Sequence, residues 1–347
     1  MARTAQNENK AGIFFLATLV LWFVSVWFEI VFNKRKELLC VIAGCCFYQA
    51  ANRVIRFWLS RDPLFVNTSV SLLHSSITSV SGSFISNHSP SLRFLFWVLF
   101  HILNWGFSLL GIVNASDELL LFLLLIFMCA KECQNMVLWS YGMLTIELHQ
   151  VVFILVNEWL KNGSNGMFEH SQLFGGTWPW AYPALCFSCG YFAYDQLDML
   201  HYQLYSGRIP AILVHHLILL ICFTLALYRN VTINYLILTL ICELHSIFLH
   251  VRKVRRMTGI RDAKSKIVKL EWVLNWLTFF LARVVSHILI TAKLIRDAHK
   301  FGRGVELPLA LFGMAGMNLL NIFLGIDLFN AFRKEKNSQA NGRRHHE

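Results

Sequence analysis

Two adjacent histidines, His215 and His216, interrupt "LVHHLILLICF", a run that is otherwise almost wholly apolar. Imidazole is the side chain best suited to move a proton near neutral pH, and it can also act as a nucleophile. Carboxylates occur in similar apolar surroundings. Asp195 and Asp198 lie in "GYFAYDQLDMLHY", and Glu243 lies in "ICELHSIFLH". A further histidine, His74, stands in "NTSVSLLHSSITSV". Acids beside histidines could orient or charge-balance an imidazole base. They could equally tie helices together or grip the polar part of a lipid.

Helical spacing sorts these residues into stripes. Asn67, Ser71, His74, Ser75, Thr78 and Gly82 share one face of a helix. Tyr191, Tyr194, Asp195, Asp198 and Tyr202 share another, and Thr239, Cys242, Glu243, Ser246 and His250 a third. His245 points ~160° away from Glu243 at ~100° per residue. By the same geometry His215 and His216 diverge by ~100°, so both cannot aim straight at one atom. One is expected in the site and the other against a neighbouring helix. His74, Tyr191, Asp195, Asp198, His215, His216 and Glu243 are therefore the candidate lining of one polar site. Two readings stand for it: a hydrogen-bonded network holding helices together, or a cavity that receives a lipid headgroup or acyl carbonyl.

The elements that position these residues follow from composition. Of 347 residues 56% are hydrophobic and 15% charged, and the mean hydropathy is +0.51. That is too little charge to cover a soluble surface. Spans of ~20 apolar residues fit at 12–32, 38–59, 64–86, 92–113, 118–157, 182–200, 211–229, 232–250, 270–294 and 305–332. With 118–157 long enough for two, the total is eight to eleven. The runs are continuous rather than alternating, which excludes a membrane β-barrel. The expected fold is an all-α polytopic transmembrane helical bundle. Its parts are N-terminal membrane helices over 1–59, a transmembrane domain over 60–332, and a basic tail over 333–347.

The net charge is +11, clustered in "VRKVRRMTGIRDAKSKIVKL" (251–270) and after Ala331. Both basic segments flank spans, so positive-inside topology explains them and no nucleic-acid partner is expected. Segment 251–270 is suited to anionic lipid headgroups. Counting back, the turn at Arg229–Thr232 and "NGSNG" (162–166) fall on the outer side. "KRK" (34–36) conflicts with Arg56 and Arg61, because one full span would separate them. Either 38–59 is re-entrant or the rule fails once. The first apolar run has no small-residue cleavage site and is expected to be a retained span.

Nine cysteines, mostly inside spans, do not suggest a disulfide framework. Cys186 and Cys189 form a CxxC within "LCFSCGYF", as small span residues rather than a zinc or redox pair. No HxxxH or HExxH occurs at the histidine pair, and no GxGxxG or P-loop is present. Neither a metal nor an organic cofactor is expected. The sequon at Asn67 lies inside a span and should be a chance match.

Four stretches together, "NTSVSLLHSSITSV", "FSCGYFAYDQLDML", "LVHHLILLICF" and "ICELHSIFLHVRKVRR", resemble the TLC-domain family of multi-pass membrane proteins. The likeness covers roughly 60–87 and 180–332. The family includes ceramide synthases, whose histidine pair is followed one span later by an HD pair with another Asp. This chain keeps His215 and His216 but reads "ELHSIFLH" there, without that HD…D. Acyltransferase activity is therefore not the first expectation, and the chain leans away from being an enzyme. "GYFAYDQLDML" with "SIFLH" resembles the small TLC-domain proteins linked to membrane fluidity. Those usually carry Asn where His245 stands. Residues 88–175 add apolar stretches where a short connection is expected, an insertion.

The resemblance implies a regulator of membrane lipid composition, limiting polyunsaturated acyl chains in phospholipids. Its partner would be a membrane phospholipid or acyl chain. The plasma membrane is its expected location, with the endoplasmic reticulum as alternative. A ceramide-synthase-type acyltransferase using His215 or His216 is the second reading. A transporter is third, since no inverted repeat of broken spans is visible.

Overall fold

A computed structural model describes residues 2–80, 151–205, 211–259 and 265–344, and every regular element in it is helical. Helix α1 spans Ala2–Val31, α2 Leu39–Trp58, α3 Pro63–Val80, α4 Val151–Met167, α5 Ala181–His201 and α6 Ala211–Arg229. After a tight turn come α7, Ile233–Thr239, and α8, Glu243–Met257, joined by one 3₁₀ turn, Leu240–Cys242. Helices α9, Lys266–Thr278, and α10, Ser286–Arg296, are joined by a π-helical segment, Phe279–Val285. Helix α11 runs from Glu306 to Arg344.

The packing is that of a protein dissolved in lipid. In α1, Phe15, Leu19, Trp22 and Val26 recur at helical steps and are buried, while Leu21 and Trp27 on the other faces are exposed. Large apolar side chains also face outward from α2, α9, α10 and α11. Outside water, such exposure costs nothing. Six of the described helical segments are long and apolar enough to cross a membrane: Lys10–Val31, Lys36–Trp58, Ala211–Arg229, Ile233–Met257, Lys266–Arg296 and Glu306–Asn337. The chain is a multi-pass membrane protein. Helices α3 and α5, which carry the polar stripes, are enclosed by the others. Helix α5 is buried on nearly every side.

Small residues let the inner helices touch. A Cβ on Gly190 of α5 would meet the backbone of α2 at Val41 O, Cys45 N and Gly44 C, and one on Gly44 would meet Phe187 O. This close approach of α2 and α5 resembles small-residue contacts between membrane helices. The two helices run in the same direction, with Gly44 beside Phe187 and Asn52 beside Tyr194 and Asp198. Helices α3 and α8 run oppositely, pairing Ser75 with Glu243, Leu72 with Ile247 and Phe65 with Val254.

These directions resolve the conflict over the N-terminal charges. Arg35 donates to Leu227 O at the far end of α6 and pairs with Glu29. Arg56 stacks over Tyr202, at the end of the bundle where α3 begins beside Val254. Helix α2 is a full helix rather than a re-entrant loop, so "KRK" and Arg56 sit at opposite ends. The charge rule fails once, at 34–36, where Glu29 offsets Arg35.

The structure adds details that the sequence left open. "NGSNG" (162–166) is part of α4, with a break at Gly163, whose φ is +67°. The basic tail after 333 continues α11 to Arg344. The span 270–294 is interrupted by the π segment. The expected stretches 92–113 and 118–150 lie outside the described residues. The hairpin at Arg229–Thr232 is as expected, with positive φ at Asn230 and Thr232.

Candidate functional site

Helix α5 supplies the centre of the site. Asp195 and Asp198 fall on one face, as do Tyr191 and Tyr194, and all four are buried. Helix α3 crosses that face and answers it with amides and an imidazole. Asn67 Nδ2 donates to Asp195 Oδ1 at 2.6 Å and to Asp198 Oδ2 at 3.1 Å. One amide thus bridges two carboxylates. The buried Asn67 belongs to the helix interior and is no glycosylation acceptor in this fold. From α2, Asn52 Nδ2 donates to Asp198 Oδ1 at 3.0 Å and to Tyr194 Oη at 2.6 Å. Buried carboxylates are costly unless such donors satisfy them.

The histidines divide between two surroundings. His216 is buried, and its Nε2 lies 3.5 Å from Asp195 Oδ2. His74 is fully buried and stacked on Tyr191, with ring centroids 3.6 Å apart and planes 9° from parallel. Its Nδ1 lies 2.9 Å from Tyr48 Oη. Glu243 enters at the start of α8, just after the 3₁₀ turn, and accepts from Ser75 Oγ at 2.7 Å. The structure therefore gathers His74, Tyr191, Asp195, Asp198, His216 and Glu243 around α3 and α5. His215 looks elsewhere: its electrostatic neighbours, besides His216, are Arg283 and His287.

Further round α8, His245 and Ser246 belong to a second polar group. His245 Nδ1 accepts from Arg283 Nε at 2.9 Å, and Ser246 Oγ accepts from Arg283 Nη2 at 2.7 Å. The π segment turns Arg283 inward to make these contacts. Among the described residues, no three His, Cys, Asp or Glu side chains are grouped so as to hold a metal ion.

Sequence reasoning missed Tyr48, Asn52 and Arg283. Tyr48, Asn52 and Arg56 recur every four residues in α2, a stripe open to the same helical test applied to α3 and α5. Arg283 is a lone cation in the middle of an apolar run, and a charge at that depth is itself a signal.

In chemical terms the cluster joins three carboxylates, two amides and two imidazoles inside a lipid-facing helical bundle. It can hold a proton between Asp195 and His216 and offer hydrogen bonds to a polar group entering from the bilayer. Fold and cluster together define a polytopic helical membrane protein with an intramembrane polar site. The TLC domain profile matches residues 131–330, and the chain belongs to the TLC-domain family. That match contains Asp195, His216 and Glu243 and leaves out α1–α3.

TLC domain-containing protein 2 of Danio rerio is 27% identical over 194 residues, covering 48% of this chain and 74% of the relative. TLC domain-containing protein 2 of Homo sapiens is 30% identical over 152 residues, covering 42% of this chain and 54% of the relative. TLC domain-containing protein 1 of Gallus gallus is 26% identical over 152 residues, covering 43% and 59%. The chain thus spans little more than half the length of the human and chicken relatives. No solved structure matches it.

Proposed function

We propose that this protein regulates the lipid composition and fluidity of its membrane, limiting the entry of polyunsaturated acyl chains into phospholipids. The observation that carries the reading is the buried Asp195–His216 contact within a TLC domain that lacks the HD…D acids of an acyltransferase. An acid–imidazole pair with amides around it suits recognition of an ester carbonyl or headgroup. The bound partner would be a membrane phospholipid or its acyl chain. Basic segment 251–270 would rest against anionic headgroups. The plasma membrane is the proposed site of action, with the endoplasmic reticulum as alternative. Deleting the gene and measuring phospholipid acyl composition together with a fluidity probe tests this. Polyunsaturated phospholipids should rise and return to normal on re-expression. Unchanged composition and unchanged fluidity would refute it.

The same contact favours a second reading, an acyltransferase in which His216 is base or nucleophile and Asp195 orients it. Purified protein would then transfer an acyl group from acyl-CoA to a lipid acceptor, and His216→Ala would abolish turnover. A transporter has no specific support in the helix arrangement.

A further inference from the structure

Arg283 is a buried guanidinium in the middle of a membrane-spanning segment, and no carboxylate pairs with it among the described residues. Its partners are neutral: His245 Nδ1 at 2.9 Å, Ser246 Oγ at 2.7 Å and Asn321 Oδ1 at 3.4 Å. A guanidinium has five N–H donors, so two remain. An uncompensated cation in hydrocarbon is costly, and it is retained where function needs it.

The partners' own orientation shows what is wanted. Because His245 accepts at Nδ1, its Nε2 carries the proton, and that Nε2 is buried without a partner. Because Asn321 accepts at Oδ1, its Nδ2 group is left as a donor, also buried without a partner. The unused atoms of both partners are therefore donors. Donors gathered around a fixed positive charge are the complement of an oxyanion.

Asn321 also lines a cleft of about 510 Å³ between the π segment and α11. Apart from Asn318, which donates to Thr291, the rest of that wall is apolar and includes Trp276, Phe279, Ile322, Ile326 and Phe329. Its size is that of an ordinary ligand pocket. A π-helical break, a frequent mark of functional sites, carries Arg283, which reaches the cleft through its hydrogen bond to Asn321. His245 lies on the opposite side of α8 from Glu243, and the site does not depend on the role given to the Asp195–His216 cluster.

The geometry points to a binding site for a long-chain fatty acid, its carboxylate held by Arg283, Asn321 and His245 and its chain lying in the α10–α11 cleft. A carboxylate has two oxygens to accept from these donors, and a single chain matches a cleft of this volume.

The test is native mass spectrometry of the full chain in detergent with sodium oleate, dioleoyl phosphatidic acid and uncharged oleyl alcohol as probes. Oleate should bind one to one and outcompete both other lipids. Arg283→Gln should weaken oleate about tenfold or more, the effect of losing charge-assisted hydrogen bonds. Ile326→Trp, which fills the cleft from an exposed position, should weaken it as strongly while leaving the bundle intact. Where Arg283→Gln does not fold, Ile326→Trp and the competition in the unmodified chain decide. Equal binding of oleyl alcohol, preference for phosphatidic acid, or full oleate affinity in Ile326→Trp would each overturn the site.

Discussion

His216 Nε2 faces Asp195 Oδ2 across 3.5 Å, while its neighbour His215 makes no hydrogen bond to that cluster and has Arg283 and His287 as its further electrostatic neighbours. The two histidines stand next to each other in sequence and belong to different clusters. Their replacements should therefore differ. We predict that His216→Ala abolishes the rescue of membrane lipid composition in cells lacking the protein, and that His215→Ala largely preserves it. Equal loss in both variants, at matched expression, would contradict this division.

Asn67 holds two carboxylates with one amide. Asn67→Ala leaves Asp195 and Asp198 facing each other with fewer donors. A hydrogen bond to a charged group contributes roughly 1.5–3 kcal/mol, so Asn67→Ala should cost about that much stability. Thermal unfolding in detergent reads this out. Adding Asp195→Asn to the variant should recover part of the loss, since the repulsion goes with the charge. No destabilisation by Asn67→Ala, or no coupling between the two changes, would mean that the bridge carries little energy.

Gly190→Ala tests how α2 and α5 are held together. The new methyl would meet Val41 O and Cys45 N, both backbone atoms that cannot rotate aside. Overpacking of this kind costs roughly 1–3 kcal/mol. The shift should also pull Asn52 from Asp198, and so impair lipid rescue beyond what stability alone explains. Gly175→Ala, which meets nothing within 4 Å, is the control and should behave as the unmodified chain.

The stripes on α3, α5 and α8 were legible because lipid leaves polar side chains only one place to go. Asp195, Asp198, His74 and Glu243 all turn inward as their spacing predicts. Which histidine of the pair enters the cluster was not legible. Two residues ~100° apart differ only in how their helix is rotated, and that depends on packing against α5. The π segment was also hidden. It contains no proline or glycine to mark it, and it arises where Arg283 reaches His245 and Ser246. The direction of α2 could not be read from charge, since Arg35 is offset locally by Glu29. The contacts of Gly44 and Asn52 with α5 reveal it.

Asp297, just beyond α10, predicts a pH dependence at the end of the bundle opposite Arg56. Burial raises its carboxyl, but hydrogen bonds from Lys293 and Lys300 outweigh this and hold it down at about 2, below the ordinary 3.8. Tyr235 Oη also donates to it at 3.2 Å, and His170 Nδ1 lies 3.7 Å away. Below pH 3.8 the unfolded chain takes up this proton before the folded one does. The stabilisation is therefore complete above about pH 4 and is lost as pH falls toward about 2. His170 is coupled to it, since the nearby Asp297 charge partly opposes the effect of burial on its imidazole. Burial lowers its imidazole below 6.5, so its share of stability begins to fall as pH drops below that value. Unfolding temperatures measured from pH 7 to pH 2 in detergent should show both declines. Asp297→Asn should remove the acid-side decline and deepen the one belonging to His170, which loses the neighbouring negative charge. An unchanged profile in Asp297→Asn would show that the Lys293–Asp297–Lys300 group does not stabilise this end.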